Sequence, residues 1–289
     1  MGSDQPTVTP TVTKRDQKFS KKIVTKIWKE QSAAHNPYLV ERCLCHGYDI
    51  EELSQKKSYV DVLYLLFHGE LPTKEEAELL ETLLIALINP GPRHPATRAA
   101  MNAGVGKTNP AHILPIGLSV MSGAYLGGEE VIASMQFLRK NMRHAPADIA
   151  QLFHGRQQEQ FNTSGEVPHE GDEHIAPGFG THYGGVDPIP QRIAQTLLAL
   201  PGHGKAIRWG QDFVDELTPL HMGWLPTGIA AAVFCDLGFH PRAGAGLFQL
   251  LTAPGILAHG LEMANKPITA MPCLDEEHYV IAREAKKKG

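Results

Sequence analysis

Cysteine is scarce in this chain. Its four copies, Cys43, Cys45, Cys235 and Cys273, are too few and too scattered over 289 residues to make a disulfide framework. Cys43-Leu-Cys45 has neither a second cysteine pair nor a spaced histidine pair behind it, so it does not form a zinc motif. Positive charge is not in excess either: 27 Lys and Arg stand against 31 Asp and Glu, a net charge of −4. That balance excludes the concentrated basic face by which nucleic acids and anionic membranes are held. The lysine-rich spots, Lys18–Lys22 and Lys286–Lys288, read as solvated tails.

No apolar run is long enough to cross a bilayer, and no secretory segment opens the chain, so a cytoplasmic protein is expected. Nucleotide motifs are missing as well. No Gly-x-Gly-x-x-Gly follows a strand pattern, and no Gly-x-Ser-x-Gly elbow is present. Gly104-Val-Gly-Lys-Thr108 imitates part of a P-loop, but it lacks the first glycine at the required spacing and lies in a helical pattern. A covalently bound cofactor is not expected.

What the chain does have is core-forming material, with 42% hydrophobic against 20% charged residues. Thr73-Lys-Glu-Glu76 is a capping box, in which hydroxyl and carboxylate each satisfy a free backbone donor. Behind it Ala77, Leu80, Leu83, Leu84 and Leu87 recur at helical spacing until Asn89-Pro-Gly-Pro92 stops the run. Similar helices are predicted at 110–125, 129–143, 146–153, 190–200, 227–237 and 241–264. The 28 glycines and 21 prolines cluster between these helices, as punctuation of many short connections. No segment alternates with a period of two between turn signals, so an all-α fold without a sheet is expected. Residues 1–16, rich in Thr, Pro and Val, read as a disordered arm. Residues 155–188 form the one long non-periodic stretch, which in a compact domain is either functional or disordered.

Four segments carry the chemistry. They are Gly47-Tyr-Asp-Ile-Glu-Glu-Leu53 with Gly69-Glu-Leu-Pro72; Arg93-His94 with Gly123-Ala-Tyr-Leu-Gly-Gly128; Pro177-Gly-Phe-Gly-Thr-His-Tyr183 with Gly184-Gly-Val-Asp-Pro188; and Ala230–Phe239 with Pro254–Glu262. In this order they resemble the landmarks of the citrate synthase family, and the short chain resembles its compact branch of citryl-CoA lyases and the C-terminal module of ATP-citrate lyase.

The resemblance implies a two-domain all-α fold. Residues 17–135 and 239–289 would form a large domain and 136–238 a small one, with a cleft between them and a homodimer built through long apolar helices. It also implies a CoA thioester as co-substrate and a carbon–carbon bond made or broken through an enol. That reaction needs a carboxylate base and two donors, one on the enolate oxygen and one on the ketone.

The positions that would carry these roles have changed. Leu126 stands where the enolate-stabilising His belongs, with Tyr125 one residue away. Thr181 fills the second His slot, with His182 following; His94 could border the ketone site. Thr227 stands where the base Asp belongs, and Ile189 and Leu250–Ala253 where carboxylate-binding Arg residues belong. The candidate catalytic residues are therefore His182, His94, Tyr125 and Thr227. The backbone of Pro177, Gly178, Phe179, Gly180, Thr181 and Tyr183 corresponds to the loop that recognises CoA. The run Pro168-His-Glu-Gly-Asp-Glu-His174 has metal-ligand chemistry but no spacing template, so a solvated loop is preferred and no metal is expected. Two functions stay open: an enzyme with altered chemistry acting on an acyl ligand, or a non-catalytic relative serving as partner subunit or ligand sensor.

Overall fold

Strand β1 (Trp28–Ala33) turns through two residues into β2 (Asn36–Cys45), which pairs in turn with β3 (Tyr48–Asp49). The computed structural model describes residues 22–164 and 172–280, with the side chains of 157–164 excepted. The expected arm 1–16, the tail lysines 286–288 and residues 168–171 lie outside that range. The chain falls into two compact units, Met1–Leu71 and Pro72–Gly289.

In the first unit the three-stranded sheet leads into α1 (Ile50–Lys56) and α2 (Tyr59–His68). Asp49 starts α1 by accepting from Glu51 N at 2.8 Å while Arg42 Nε donates to its other oxygen. A reciprocal Ser58–Asp61 capping box starts α2, and Gly69 ends it in the left-handed conformation (φ 82). Cys45, Leu53 and Leu65 form its core, packed by Ile50, Val62 and Leu71. The motif Gly47–Pro72 is thus a strand end followed by two capped helices.

The second unit is helical: α3 (Lys74–Ala86), α4 (Pro95–Val105), α5 (Pro110–Met121), α6 (Gly128–Asn141), α7 (Pro146–Ser164), α8 (Pro188–Leu198), α9 (Lys205–Leu217), α10 (Pro226–Asp236) and α11 (Pro241–Ala264). Each helix predicted from periodicity is present. Two more, α4 and α9, fill intervals between them. The 24-residue α11 packs against α4, α5 and α6, and α6 also packs on α10. Gly255 N of α11 donates to Ile88 O just after α3, and His259 Nε2 lies 3.2 Å from Asn89 Nδ2. The P-loop imitation has a plain structural use: Lys107 Nζ donates to Ala264 O and Lys266 O, capping the C-terminal end of α11.

The all-α class holds, but the expectation of no sheet does not. A second antiparallel sheet is formed by β4 (Glu173–Ala176), β5 (Phe179–Thr181) and β6 (Gly223–Trp224). Neither sheet shows alternation, for two reasons. β1 and β2 expose most residues on both faces, and β4–β6 are two to four residues long, too short to display a period. The stretch 155–188 is correspondingly less irregular than expected, because α7 runs on to Ser164 and β4–β5 is a hairpin.

Candidate functional site

The hairpin β4–β5 is anchored from below by aromatic packing. Phe179 is fully buried, 4.8 Å from Trp224 and 5.0 Å from Phe213 between ring centres. Its side chain is core, so only its backbone can meet a ligand. The flanking glycine has a steric reason. Gly178 adopts φ 81, and a Cβ on Gly228 would sit 2.1 Å from Gly178 O, so hairpin and α10 touch backbone to backbone. Leu225 N donates to Gly178 O across the same contact. Thr181 turns inward: its hydroxyl donates to Gly185 O and accepts from Gly185 N, closing the loop that carries His182 and the exposed Tyr183.

This contact brings the sequence-predicted positions into two groups. The first lines a cavity of about 270 Å³, walled by His94, Leu126, Asp187, Ile189, Thr227 and Phe248 among others. His94 is the N-cap of α4. Its Nδ1 accepts from Ala96 N at 3.1 Å, which leaves the proton on Nε2, and Nε2 donates to Leu126 O at 3.1 Å. Burial, reinforced by the nearby His182, holds its pKa below the usual imidazole value although the Leu126 bond works the other way. His94 is therefore neutral near pH 7 and a donor. Thr227 is 1% exposed, and its hydroxyl has no hydrogen-bond partner. Among the described wall residues His94 carries the one imidazole and Asp187 the one carboxylate. Asp187 is tied down as the N-cap of α8, accepting from Ile189 N.

The second group gathers around Glu130, a buried carboxylate at the start of α6. It accepts from Leu126 N at 2.9 Å, Gly178 N at 3.3 Å and His174 Nδ1 at 2.8 Å. Burial opposes its ionisation, but the His174 contact and the two backbone donors outweigh that, and its pKa lies below the usual carboxylate range. His174 Nε2 is 3.4 Å from His182 Nδ1, and His182 Nδ1 donates to Asp172 Oδ1 at 3.1 Å. Tyr125 donates its hydroxyl to the same oxygen at 2.8 Å and stacks on the His174 ring, 4.2 Å away. For Asp172, too, burial is outweighed by these bonds to His182 and Tyr125, so its pKa is lowered. Burial and the Asp172 bond raise the pKa of Tyr125. Asp172, His174 and His182 point ligand atoms at one another, within 4.8 Å.

Of the sequence-predicted catalytic residues, then, His94 and Thr227 meet at the cavity and Tyr125 and His182 meet at the cluster. Leu126 joins the two groups by its backbone. It holds φ 58, a left-handed conformation unusual for a leucine, and spends its N–H on Glu130 and its carbonyl on His94. Glu130 went unnoticed in the sequence because Glu129-Glu130 in a first turn reads as two solvated charges favouring the helix dipole.

Residues 27–177, more than half of the chain, match the family model for the citrate synthase C-terminal domain. The chain belongs to the citrate synthase family. It is 31% identical over 102 residues to a citrate synthase of Dictyostelium discoideum, covering 33% of this chain and 19% of that protein. With a citrate synthase of Haloferax volcanii it is 55% identical over 40 residues, 14% of this chain and 11% of that protein. These matches span about a fifth or less of the relatives' length.

Among solved structures, citryl-CoA lyase from Hydrogenobacter thermophilus has a TM-score of 0.68 at 23% identity, over 92% of this chain and 96% of that one. ATP citrate lyase from Methanothrix soehngenii, in complex with citrate and coenzyme A, has a TM-score of 0.69 at 16% identity, over 99% of this chain and 47% of that one. At such identities the likeness establishes the fold.

Proposed function

We propose that the protein binds a CoA thioester or a related acyl compound and makes or breaks a carbon–carbon bond in it, with the acyl group seated in the cavity beside His94 and Thr227. The observation that carries this reading is the pairing, in one largely apolar cavity, of a neutral imidazole and an unpartnered threonine hydroxyl. Two such donors suit a carbonyl or enolate oxygen, since preorganised donors away from water act where negative charge develops. His94 would exchange Leu126 O for the ligand oxygen. The backbone of Gly178–Thr181 with Tyr183 would border the CoA moiety. His182, the imidazole of the adjoining cluster, would move the proton.

The family division into a large part, 17–135 with 239–289, and a small part, 136–238, belongs to this reading. Residues of both ranges line the cavity, as expected of a cleft between them. A homodimer in the cytoplasm completes it, supported by exposed apolar side chains such as Ile85, Ile116 and Val120 on α3 and α5. No helix among the described residues is long and apolar enough to cross a membrane.

One observation favours a second reading, that of a non-catalytic relative acting as partner subunit or ligand sensor. The only carboxylate in the described cavity wall is committed to capping α8, and Leu126 and Thr227 cannot serve as bases.

Thermal unfolding with CoA, acetyl-CoA and citryl-CoA, followed by NMR of acetyl-CoA methyl exchange in D₂O, separates the readings. A ligand at 100 times its dissociation constant raises stability by about 2.7 kcal/mol. Stabilisation with exchange or cleavage that is lost in His182→Ala supports the enzyme. Stabilisation without turnover transfers the case to the sensor, and no stabilisation by any of the three removes the ligand.

A further inference from the structure

We propose that Asp172, His174 and His182 form a binding site for a divalent transition-metal ion, held by Asp172 Oδ1, His174 Nε2 and His182 Nδ1. The donor set comes first in the argument. Two imidazoles and one carboxylate suit ions of the zinc and iron class, whereas magnesium and calcium prefer oxygen alone.

The spacing comes second. Nitrogen and oxygen ligands about 2.0–2.1 Å from a tetrahedral ion lie about 3.3 Å from one another. Two of the three observed edges match, 3.4 Å from His174 Nε2 to His182 Nδ1 and 3.1 Å from His182 Nδ1 to Asp172 Oδ1, and the third lies within 4.8 Å, so closing on an ion would draw Asp172 and His174 together. Without an ion those separations leave one proton, on His182 Nδ1, shared between two acceptors; an ion would replace that proton and meet three lone pairs.

The surroundings of the cluster carry the proposal further. Glu130 accepts from His174 Nδ1 at 2.8 Å, which fixes the tautomer that bares Nε2 toward the other two ligands. This is the carboxylate–histidine arrangement that orients metal-binding imidazoles, and Glu130 is itself anchored by two backbone N–H groups. Tyr125 stacks on His174 at 19° between planes and bonds Asp172, so two ligands are held from one residue. The backbone is ordered for the same geometry. Glu173 pairs with Thr181 and His174 with Gly180 across β4 and β5, which brings Asp172 and His182 together at one end of the hairpin. Access remains open, because the Asp172 side chain is 41% exposed.

The inference does not rest on the thioester reading, since ion uptake is measured without any acyl ligand. Tag-free protein stripped with chelator is titrated with Zn²⁺ by calorimetry and counted by elemental analysis, and Co²⁺ is added as a spectroscopic probe. The expected result is one ion per chain at micromolar protein, undiminished by millimolar Mg²⁺, with visible Co²⁺ bands of four- or five-coordinate geometry. His182→Gln and Asp172→Asn each abolish stoichiometric uptake, and His278→Ala, at an exposed His–Asp pair, leaves it unchanged. Glu130→Gln weakens binding about 10–100-fold, because it touches the ion only through His174. Should Glu130→Gln prove unfolded by circular dichroism, the two loop-facing ligand variants and the wild-type Co²⁺ spectrum decide. Absence of uptake by the wild type, or uptake that persists in both His182→Gln and Asp172→Asn, overturns the site.

Discussion

Two polar regions lie either side of Leu126, and they are built in opposite ways. On the cavity side the groups are few and bond only backbone: His94 through both ring nitrogens, Asp187 as the cap of α8, and beside them a threonine hydroxyl with no partner. On the cluster side Glu130, His174, His182, Asp172 and Tyr125 bond one another side chain to side chain, with His182 Nε2 left unpartnered. In the function proposed above, Leu126 and Thr227 of the first region stand where acid–base groups would be expected, beside the imidazole of His94. The second gathers two carboxylates, two imidazoles and a phenol. The left-handed leucine between them keeps a backbone geometry independent of its side chain, because both its N–H and its carbonyl are engaged.

The sharpest way to break the comparison is to remove the group that unites the cluster. Glu130→Ala leaves Leu126 N, Gly178 N and His174 Nδ1 without their shared acceptor in a buried setting, and a loss of about 3–5 kcal/mol is expected in chemical denaturation. Asp172→Ala, at the exposed end of the same chain of bonds, should cost within about 1 kcal/mol. Equal costs for the two would mean that the cluster is not organised around Glu130.

How much of this was legible beforehand depends on where each signal lives. α3 announces itself because its capping box, apolar stripe and proline stop are all local. α9 carries the same stripe in Ala206, Trp209, Gly210 and Phe213, yet its start signal is remote. Asp236 caps it, accepting from Gly204, Ala206 and Ile207 N thirty residues away. The site divides along the same line. Positions 126, 181 and 227 are readable because glycine motifs with steric causes flank them. The meeting of Asp172 with His182, and the burial of Glu130 but not Glu129, are tertiary facts with no local period.

The comparison sharpens with pH on the cavity side. His94 titrates below the usual imidazole value of 6.5 in the folded protein, so the unfolded chain takes up a proton first as pH falls. Its contribution is therefore fully present above pH 6.5 and is lost as pH drops toward the folded value. The physical step is protonation of Nδ1, which removes the acceptor for Ala96 N in a buried setting. Stability measured by denaturant titration should fall on acidification through this window, with a slope from this group of at most about 1.4 kcal/mol per pH unit. His94→Asn keeps a cap for α4 and should remove that component of the slope while leaving the rest. An unchanged profile would mean that His94 is solvated enough to titrate normally.

The smallest expected effect has the opposite sign and tests whether the cavity is built for a ligand. Thr227 buries a hydroxyl that bonds nothing, and burying such a group without a partner costs stability. Thr227→Val keeps the shape and the β-branch in the first turn of α10 while deleting that cost. The free protein should become more stable by about 1 kcal/mol, where most buried substitutions are destabilising. If the hydroxyl is one of the two donors to an acyl oxygen, the same variant should lose part of the ligand-induced shift that the wild type shows. Stabilisation together with weaker binding would mean that the unmet hydrogen bond is held for the ligand. Stabilisation with unchanged binding would make it a packing remnant and leave His94 as the remaining member of the proposed donor pair. A loss of stability would show that the hydroxyl is already satisfied in the free protein, and Thr227 would no longer be a donor held in reserve beside the bonded cluster.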